Sequence, residues 1–157
     1  MSKSTRATVA LTKAGVAFDT VTYDYDPDAD RVGIQAAEAI GVPPSMVLKT
    51  LMAEVDGKPV CVVVPSDREV SMKKLAAAFR GKSANMMKPA TAEKLTGYVV
   101  GGISPFGQKR NVPTAFEIET LQHEKVYMNG GQRGLQVHLK PEDAVRAANA
   151  ITAALVA

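Results

Sequence analysis

Met46-Val47-Leu48-Lys49-Thr50-Leu51-Met52-Ala53-Glu54-Val55, Asp56-Gly57-Lys58, Pro59-Val60-Cys61-Val62-Val63-Val64-Pro65: between residues 46 and 65 the chain writes out a hairpin. Met46–Val55 and Pro59–Pro65 are strand-like runs, the second dense in valine, whose branched side chains suit a pleated surface. They flank Asp56-Gly57, a dipeptide that accepts the positive φ angles of a tight primed turn. One residue inside the first run is out of place. Lys49 alternates with Val47 and Leu51, so it shares a face with hydrophobes, where a cation is costly unless it finds a partner. Two readings stay open for it: an outward-facing strand lysine, or a lysine lining a pocket for an anionic ligand.

Outward from the hairpin, helix and strand signals alternate. Ala7, Ala10, Leu11 and Ala14 recur at helical spacing before Gly15. Residues 17–25 favour a strand, and Ile34 to Ile40 a short helix closed by Gly41. Ser71 caps a helix with Met72, Leu75, Ala76 and Phe79 on one stripe, ending at Gly81. Another helix starts near Thr91 and stops at Gly97. Tyr98–Ile103 reads as a buried strand, and further strands cover roughly 112–118, 124–129 and 133–139. The last two are joined by the turn Asn129-Gly130-Gly131. Pro141 opens a closing helix whose Val145, Ala148, Ile151 and Leu155 face the core. With no repeat, linker or low-complexity tract, residues 1–157 read as one α+β domain: a mixed, largely antiparallel sheet surrounded by helices.

Bulk properties narrow the class. The chain has 157 residues, 46% hydrophobic and 22% charged, ordinary values for a globular domain. Its formal net charge is +3. Asp19, Asp24, Asp26, Asp28 and Asp30 make the early segment acidic, so the remainder is more basic than the total suggests. Lys109, Arg110 and Arg133 lie in or beside glycine-rich loops, where cations can meet phosphates. The single cysteine, Cys61, has no partner for an internal disulfide and reads as a small strand hydrophobe. No signal peptide or membrane-length apolar run is evident, so the expectation is a soluble, cytoplasmic protein.

Most catalytic constellations are missing. His123 and His138 lack metal-ligand spacing, one cysteine excludes thiolate metal clusters, and no Gly-x-Ser-x-Gly elbow occurs. Neither a metal nor a cofactor is expected. Gly102–Lys109 approaches a phosphate-binding loop, but Gln108 separates Gly107 from the lysine and no Ser or Thr follows. What remains is Gly101-Gly102-Ile103-Ser104-Pro105. It is either a turn that needs glycine, or a loop whose backbone N–H groups approach a ligand and face developing negative charge, with the Ser104 hydroxyl added. A second glycine loop, Asn129-Gly130-Gly131-Gln132-Arg133-Gly134, follows.

Three blocks together become recognisable: Val47-Leu48-Lys49-Thr50-Leu51; Thr96-Gly97-Tyr98-Val99-Val100-Gly101-Gly102-Ile103-Ser104-Pro105-Phe106-Gly107-Gln108-Lys109; and Gly130-Gly131-Gln132-Arg133-Gly134-Leu135. In order and spacing the chain, from about residue 5 to its C-terminus, resembles the YbaK/EbsC family, relatives of the editing domain inserted in bacterial prolyl-tRNA synthetases. The resemblance implies that family's barrel-like sheet. It also implies hydrolytic or substrate-assisted deacylation of mischarged tRNA, best known for cysteine on proline tRNA, with prolyl-tRNA synthetase as a possible partner. By the same resemblance Lys49 meets the tRNA 3′ end. Gly101, Gly102, Ile103 and Ser104 supply oxyanion-type donors and Pro105 completes their loop. Tyr23, Thr50, Gly130, Gly131, Arg133 and Gln136 are implied as substrate-binding residues. Family members best linked to cysteine carry an aspartate after Arg-Gly-Leu, where this chain has Gln136. Release of alanine, or a non-catalytic module that binds tRNA or a synthetase, are the alternatives. Alternation over 133–139 puts Gln136 opposite Leu135, Val137 and Leu139, facing a cleft beside the glycine loops.

Overall fold

A computed structural model describes residues 4–28 and 31–157; Asp30, counted above in the acidic segment, lies outside them. The strands are β1 (Asp19–Thr22), β2 (Val47–Val55), β3 (Lys58–Pro65), β4 (Ala84–Met86), β5 (Thr114–Glu117), β6 (Val126–Asn129), β7 (Leu135–Leu139) and β8 (Ile151–Ala153). They form one mixed sheet in the order β1-β7-β6-β2-β3-β5-β8, with β4 paired to β2. The helices are α1 (Arg6–Lys13), α2 (Val32–Ile40), α3 (Met72–Ala78), α4 (Pro89–Thr96) and α5 (Pro141–Ala147). The fold is α+β, as expected.

The hairpin forms as read. β2 and β3 pair antiparallel from Leu48↔Pro65 to Val55↔Lys58. The turn residues Asp56 and Gly57 take φ of 50° and 80°, the left-handed pair of a primed turn. Both faces of the hairpin are covered. Leu48, Met52, Cys61 and Val63 pack with Leu11 of α1, Phe106 and Phe116. Ala53, Val60, Val62 and Val64 pack with Leu75 and Ala76 of α3 and with Leu155. Double burial explains why β3 is a continuous apolar run without alternation. Each fully buried Val, Leu or Phe there contributes about 1.5–3 kcal/mol.

The other edge of β2 is divided. Val47 and Leu48 pair in parallel with Tyr127 and Met128 of β6. Ala53 to Val55 pair antiparallel with β4. Between these contacts, residues 49–52 have no strand beside them on that edge. The Val47 carbonyl points toward β3, accepting from the Ser66 amide at 2.9 Å, whereas the Met52 carbonyl points to the divided edge, accepting from Met87 N–H at 3.1 Å. Thr50 is in phase with Met52, so its own N–H and C=O face the gap.

Several sequence expectations shift. Tyr98–Ile103 is not a strand but an irregular loop: Val99 and Val100 are 50% and 41% exposed, and Gly102 N–H closes a turn on the Val99 carbonyl at 2.8 Å. The two successive glycines remove the side chains a strand would pack. The closing helix stops at Ala147, because Asn149 takes a left-handed φ of 51°; Ile151 starts β8, beside β5, and Leu155 is buried beyond it. Ala148 caps the helix, so only Val145 of the four core positions lies within it. The strand over 17–25 shortens to β1, those near 112–118, 124–129 and 133–139 to β5, β6 and β7, and two helices start earlier, at Val32 and Pro89. Short, polar β4 was not foreseen. Nor was the role of Glu117, 1% exposed, whose carboxylate accepts from the Leu155, Val156 and Glu119 amides at 2.7, 3.1 and 2.8 Å and so pins the segment after β8.

Candidate active site

The gap in β2 opens into a cleft of about 360 Å³. Its floor is Leu48 to Met52; its walls include Met86 and Met87, the Val100-Gly101 turn with Ile103, and Asn129 and Gln136 from β6 and β7. The first turn of α2, with Ser66 and Glu69, closes one end. Lys49 stands within it, Nζ 3.6 Å from Glu69 Oε1. Its side chain is 21% exposed and that of Glu69 is 76% exposed, so the pair is screened and contributes about 0–1 kcal/mol.

Three buried polar side-chain atoms lack hydrogen-bond partners among the described residues: Thr50 Oγ1, Gln136 Oε1 and Tyr23 Oη. Burying such an atom unpaired costs about 1–3 kcal/mol, so two on one cleft wall mark a place where a ligand supplies the partners. Gln136, 2% exposed, sits where alternation placed it, with Leu135, Val137 and Leu139 turned to the core. Tyr23 is not in the cleft wall; it packs with Ala36, Ala37, Val42, Val47 and Tyr127. Burial first, and the neighbouring Tyr25 second, raise its pKa. The Gln136 amide is near enough to lower it somewhat, yet no hydrogen bond of good geometry reaches either atom.

The glycine loop divides by residue. Gly101, at φ 91°, and Ile103 line the cleft, and neither amide has an acceptor among the described residues. Gly102 does not serve as a free donor, because its N–H is committed to Val99. Ser104 is 0% exposed, and its hydroxyl accepts from Phe106 N–H at 3.2 Å while Gln108 Nε2 donates to its carbonyl at 3.0 Å; it shapes the turn and does not reach the cleft. Pro105 is likewise buried behind it. The Tyr98 hydroxyl donates to the Phe106 carbonyl and ties the two ends of the loop together.

The second loop supports the first rather than lining the cleft. Asn129 Nδ2 donates to the Gly101 carbonyl at 2.9 Å, and its Oδ1 accepts from the Gly131 and Gln132 amides at 2.7 and 3.2 Å. Arg133 Nε donates to the Val100 carbonyl at 2.9 Å and its guanidinium lies 5.3 Å from the Tyr25 ring. Gly130 offers its carbonyl to Thr5 Oγ1 and Gly131 takes φ 92°. Asn129 was legible only as a turn residue; its bridge between two loops is a tertiary fact. Lys109 and Arg110 do not line the cleft. Neither does Cys61, 0% exposed, whose thiol burial pushes up to about 12, nor His123 and His138.

The aminoacyl-tRNA editing domain family matches the chain over residues 26–147. The chain belongs to this family. The editing domain is 35% identical, over 76% of its length and 74% of the other's, to EbsC of Enterococcus faecalis, a candidate Cys-tRNA(Pro)/Cys-tRNA(Cys) deacylase. It is 36% identical over 73% of its length to the proline–tRNA ligase of Desulfovibrio desulfuricans, of which it covers 19%. Its fold matches the crystal structure of a candidate trans-editing enzyme for prolyl-tRNA synthetase with a TM-score of 0.85, over 99% of each chain at 22% identity. By family the protein is an aminoacyl-tRNA deacylase. No helix among the described residues is long and apolar enough to cross a membrane.

Proposed function

We propose that this editing domain removes a small amino acid misattached to proline tRNA, cysteine first, with Lys49 at the tRNA 3′ end and the Gly101–Ile103 turn at the ester carbonyl. The observation that carries this reading is the convergence on one cleft of Lys49, two unpartnered buried oxygens (Thr50 Oγ1 and Gln136 Oε1) and the free amides of Gly101 and Ile103. A proline pocket gains only about 1–3 kcal/mol per methylene against cysteine or alanine, so a separate site must clear such errors.

The cleft holds no histidine or cysteine to act as base or nucleophile. Positioning and electrostatics are what it offers. That suits a substrate whose own thiol attacks its ester. The sulfur–carbonyl bond forms, the ester C–O bond breaks, and the thiol proton ends on the departing ribose oxygen. The free amides face the oxygen that gains charge on the way, and Gln136 Oε1 accepts from the α-ammonium.

The test is a panel of proline tRNAs carrying cysteine, alanine or proline. Purified protein releases cysteine, or failing that alanine, and leaves the proline ester intact; a protein inert on every member ends the enzymatic reading. Gln136→Asp refines it. A charge-assisted bond is roughly twice as strong as a neutral one, so the Michaelis constant for an active substrate falls if this position holds the amino group. Unchanged kinetics in a variant that melts like the parent would remove Gln136 from the site.

A further inference from the structure

A second cavity, of about 580 Å³, lies at the turn end of the β2–β3 hairpin. Three separate segments each send one cation to it: Lys58 from the hairpin, Arg80 from the residues after α3, and Arg110 from the end of the loop that leaves the cleft. All three are exposed, and among the described residues none takes part in an ion pair. The one carboxylate in the lining, Asp56, is engaged elsewhere. Its Oδ1 accepts from the Lys82 and Ser83 amides at 3.1 and 3.0 Å, and its Oδ2 from Lys82 at 3.1 Å.

Three cations against one occupied carboxylate leave a positive surplus in a concave site whose walls include Val55, Val60, Phe79 and Val112. Gathered like charges repel, and a low-dielectric wall strengthens that repulsion. An anion relieves it, and two guanidinium forks and an ammonium suit phosphate oxygens. The distance to the cleft suggests which phosphate. Lys49 and Val55 are six strand steps apart, about 20 Å at ~3.3 Å per residue. A stacked nucleic-acid strand advances ~3.4 Å per nucleotide, so on the order of six nucleotides separate the two sites. That reach passes the unpaired 3′ end of a tRNA and enters its acceptor stem.

We propose that this cavity is a second anion site, which holds a phosphodiester of the acceptor stem of the same tRNA whose 3′ end enters the cleft. The choice of tRNA rests on the editing reading above; the cation cluster does not.

The experiment uses an RNA hairpin with an acceptor-type stem and an unpaired 3′ CCA end, carrying no amino acid, and follows binding by fluorescence anisotropy across a salt series. The Lys58→Ala/Arg110→Ala double variant, shown to melt like wild type, binds it about tenfold more weakly at low salt. Its log–log salt slope is shallower by about 1.8, at ~0.9 per duplex phosphate contact. The charge-keeping pair Lys58→Arg/Arg110→Lys restores both. The tetranucleotide ACCA, too short to span the distance, binds wild type and variant alike. Equal affinity and slope for the hairpin overturn the proposal, as does a wild-type protein that does not bind the hairpin or an equal loss on ACCA. Inorganic phosphate that displaces the hairpin far better than chloride at matched ionic strength assigns the cavity to free small anions, which also overturns it. No ester is involved, so a protein that binds as described yet deacylates nothing sinks the editing reading and leaves this site standing.

Discussion

Lys49→Met lowers kcat/KM for deacylation by roughly a hundredfold or more, the scale on which loss of one charge-stabilising group is felt in other enzymes. Methionine keeps the aliphatic stem against Leu48 and Leu51 and removes only the charge. The pairing lost, with a Glu69 side chain 76% exposed, is screened, so the melting temperature stays close to that of wild type. Kinetics and melting together separate the roles. A variant that folds normally and deacylates within about threefold of wild type takes the lysine out of the mechanism. A variant that unfolds makes Lys49 a structural partner whose removal strands a neighbouring charge. Rescue of KM alone at high substrate concentration would place the contact in binding, whereas a fall in kcat places it at the charge that develops during reaction.

Gly101→Ala is the second large effect. Gly101 sits at φ 91°, where an L-residue pays about 1–2 kcal/mol. A Cβ there would stand 2.7 Å from the Tyr25 hydroxyl and 3.3 Å from Arg133 Nε, so the turn must move. A displacement of about 1 Å at a positioning element costs on the order of a hundredfold in rate. Gly15→Ala is the control: φ is 72° there, but nothing lies within 4 Å of the added carbon. It carries the backbone strain without the clash and keeps its activity. If Gly101→Ala and Gly15→Ala lose stability alike and both retain full rate, the Gly101 turn does not position substrate.

Which features were legible follows from how local their causes are. The hairpin was, because β-branched runs and an Asp-Gly turn encode it within twenty consecutive residues. Gln136 could be placed because strand alternation is a rule of period two. Lys49 stood out because a cation among hydrophobes needs an explanation that its neighbours do not provide. The mistakes came where a local pattern was true but decided elsewhere. Tyr98–Ile103 has the composition of a strand, yet no neighbouring strand is available to it and the chain turns at Val99–Gly102 instead. Ile151 and Leu155 keep helical spacing from Val145, but a left-handed Asn149 breaks the helix and β5 recruits the next residues as a strand. The Ser104 hydroxyl looked like a site group in one dimension; in three it points into its own turn. Asn129, the residue that locks the two loops to each other, gave no signal beyond its turn, since both of its partners are set by the tertiary fold.

The divided edge of β2 has a consequence for solvent exchange. In an uninterrupted central strand every amide is protected, because each points into one of two ladders. Here Lys49 and Leu51 point toward β3, while Thr50 between them points into the gap. The amide of Thr50 therefore exchanges with deuterium far faster than either neighbour, although all three belong to the same strand. A ligand that lies across the cleft and accepts from that amide supplies the missing rung, and the three rates converge. Residue-resolved exchange of Thr50, read against Lys49 and Leu51, thus reports occupancy of the cleft without any catalytic assay. It does so for substrate fragments too small, or too stable, to be turned over.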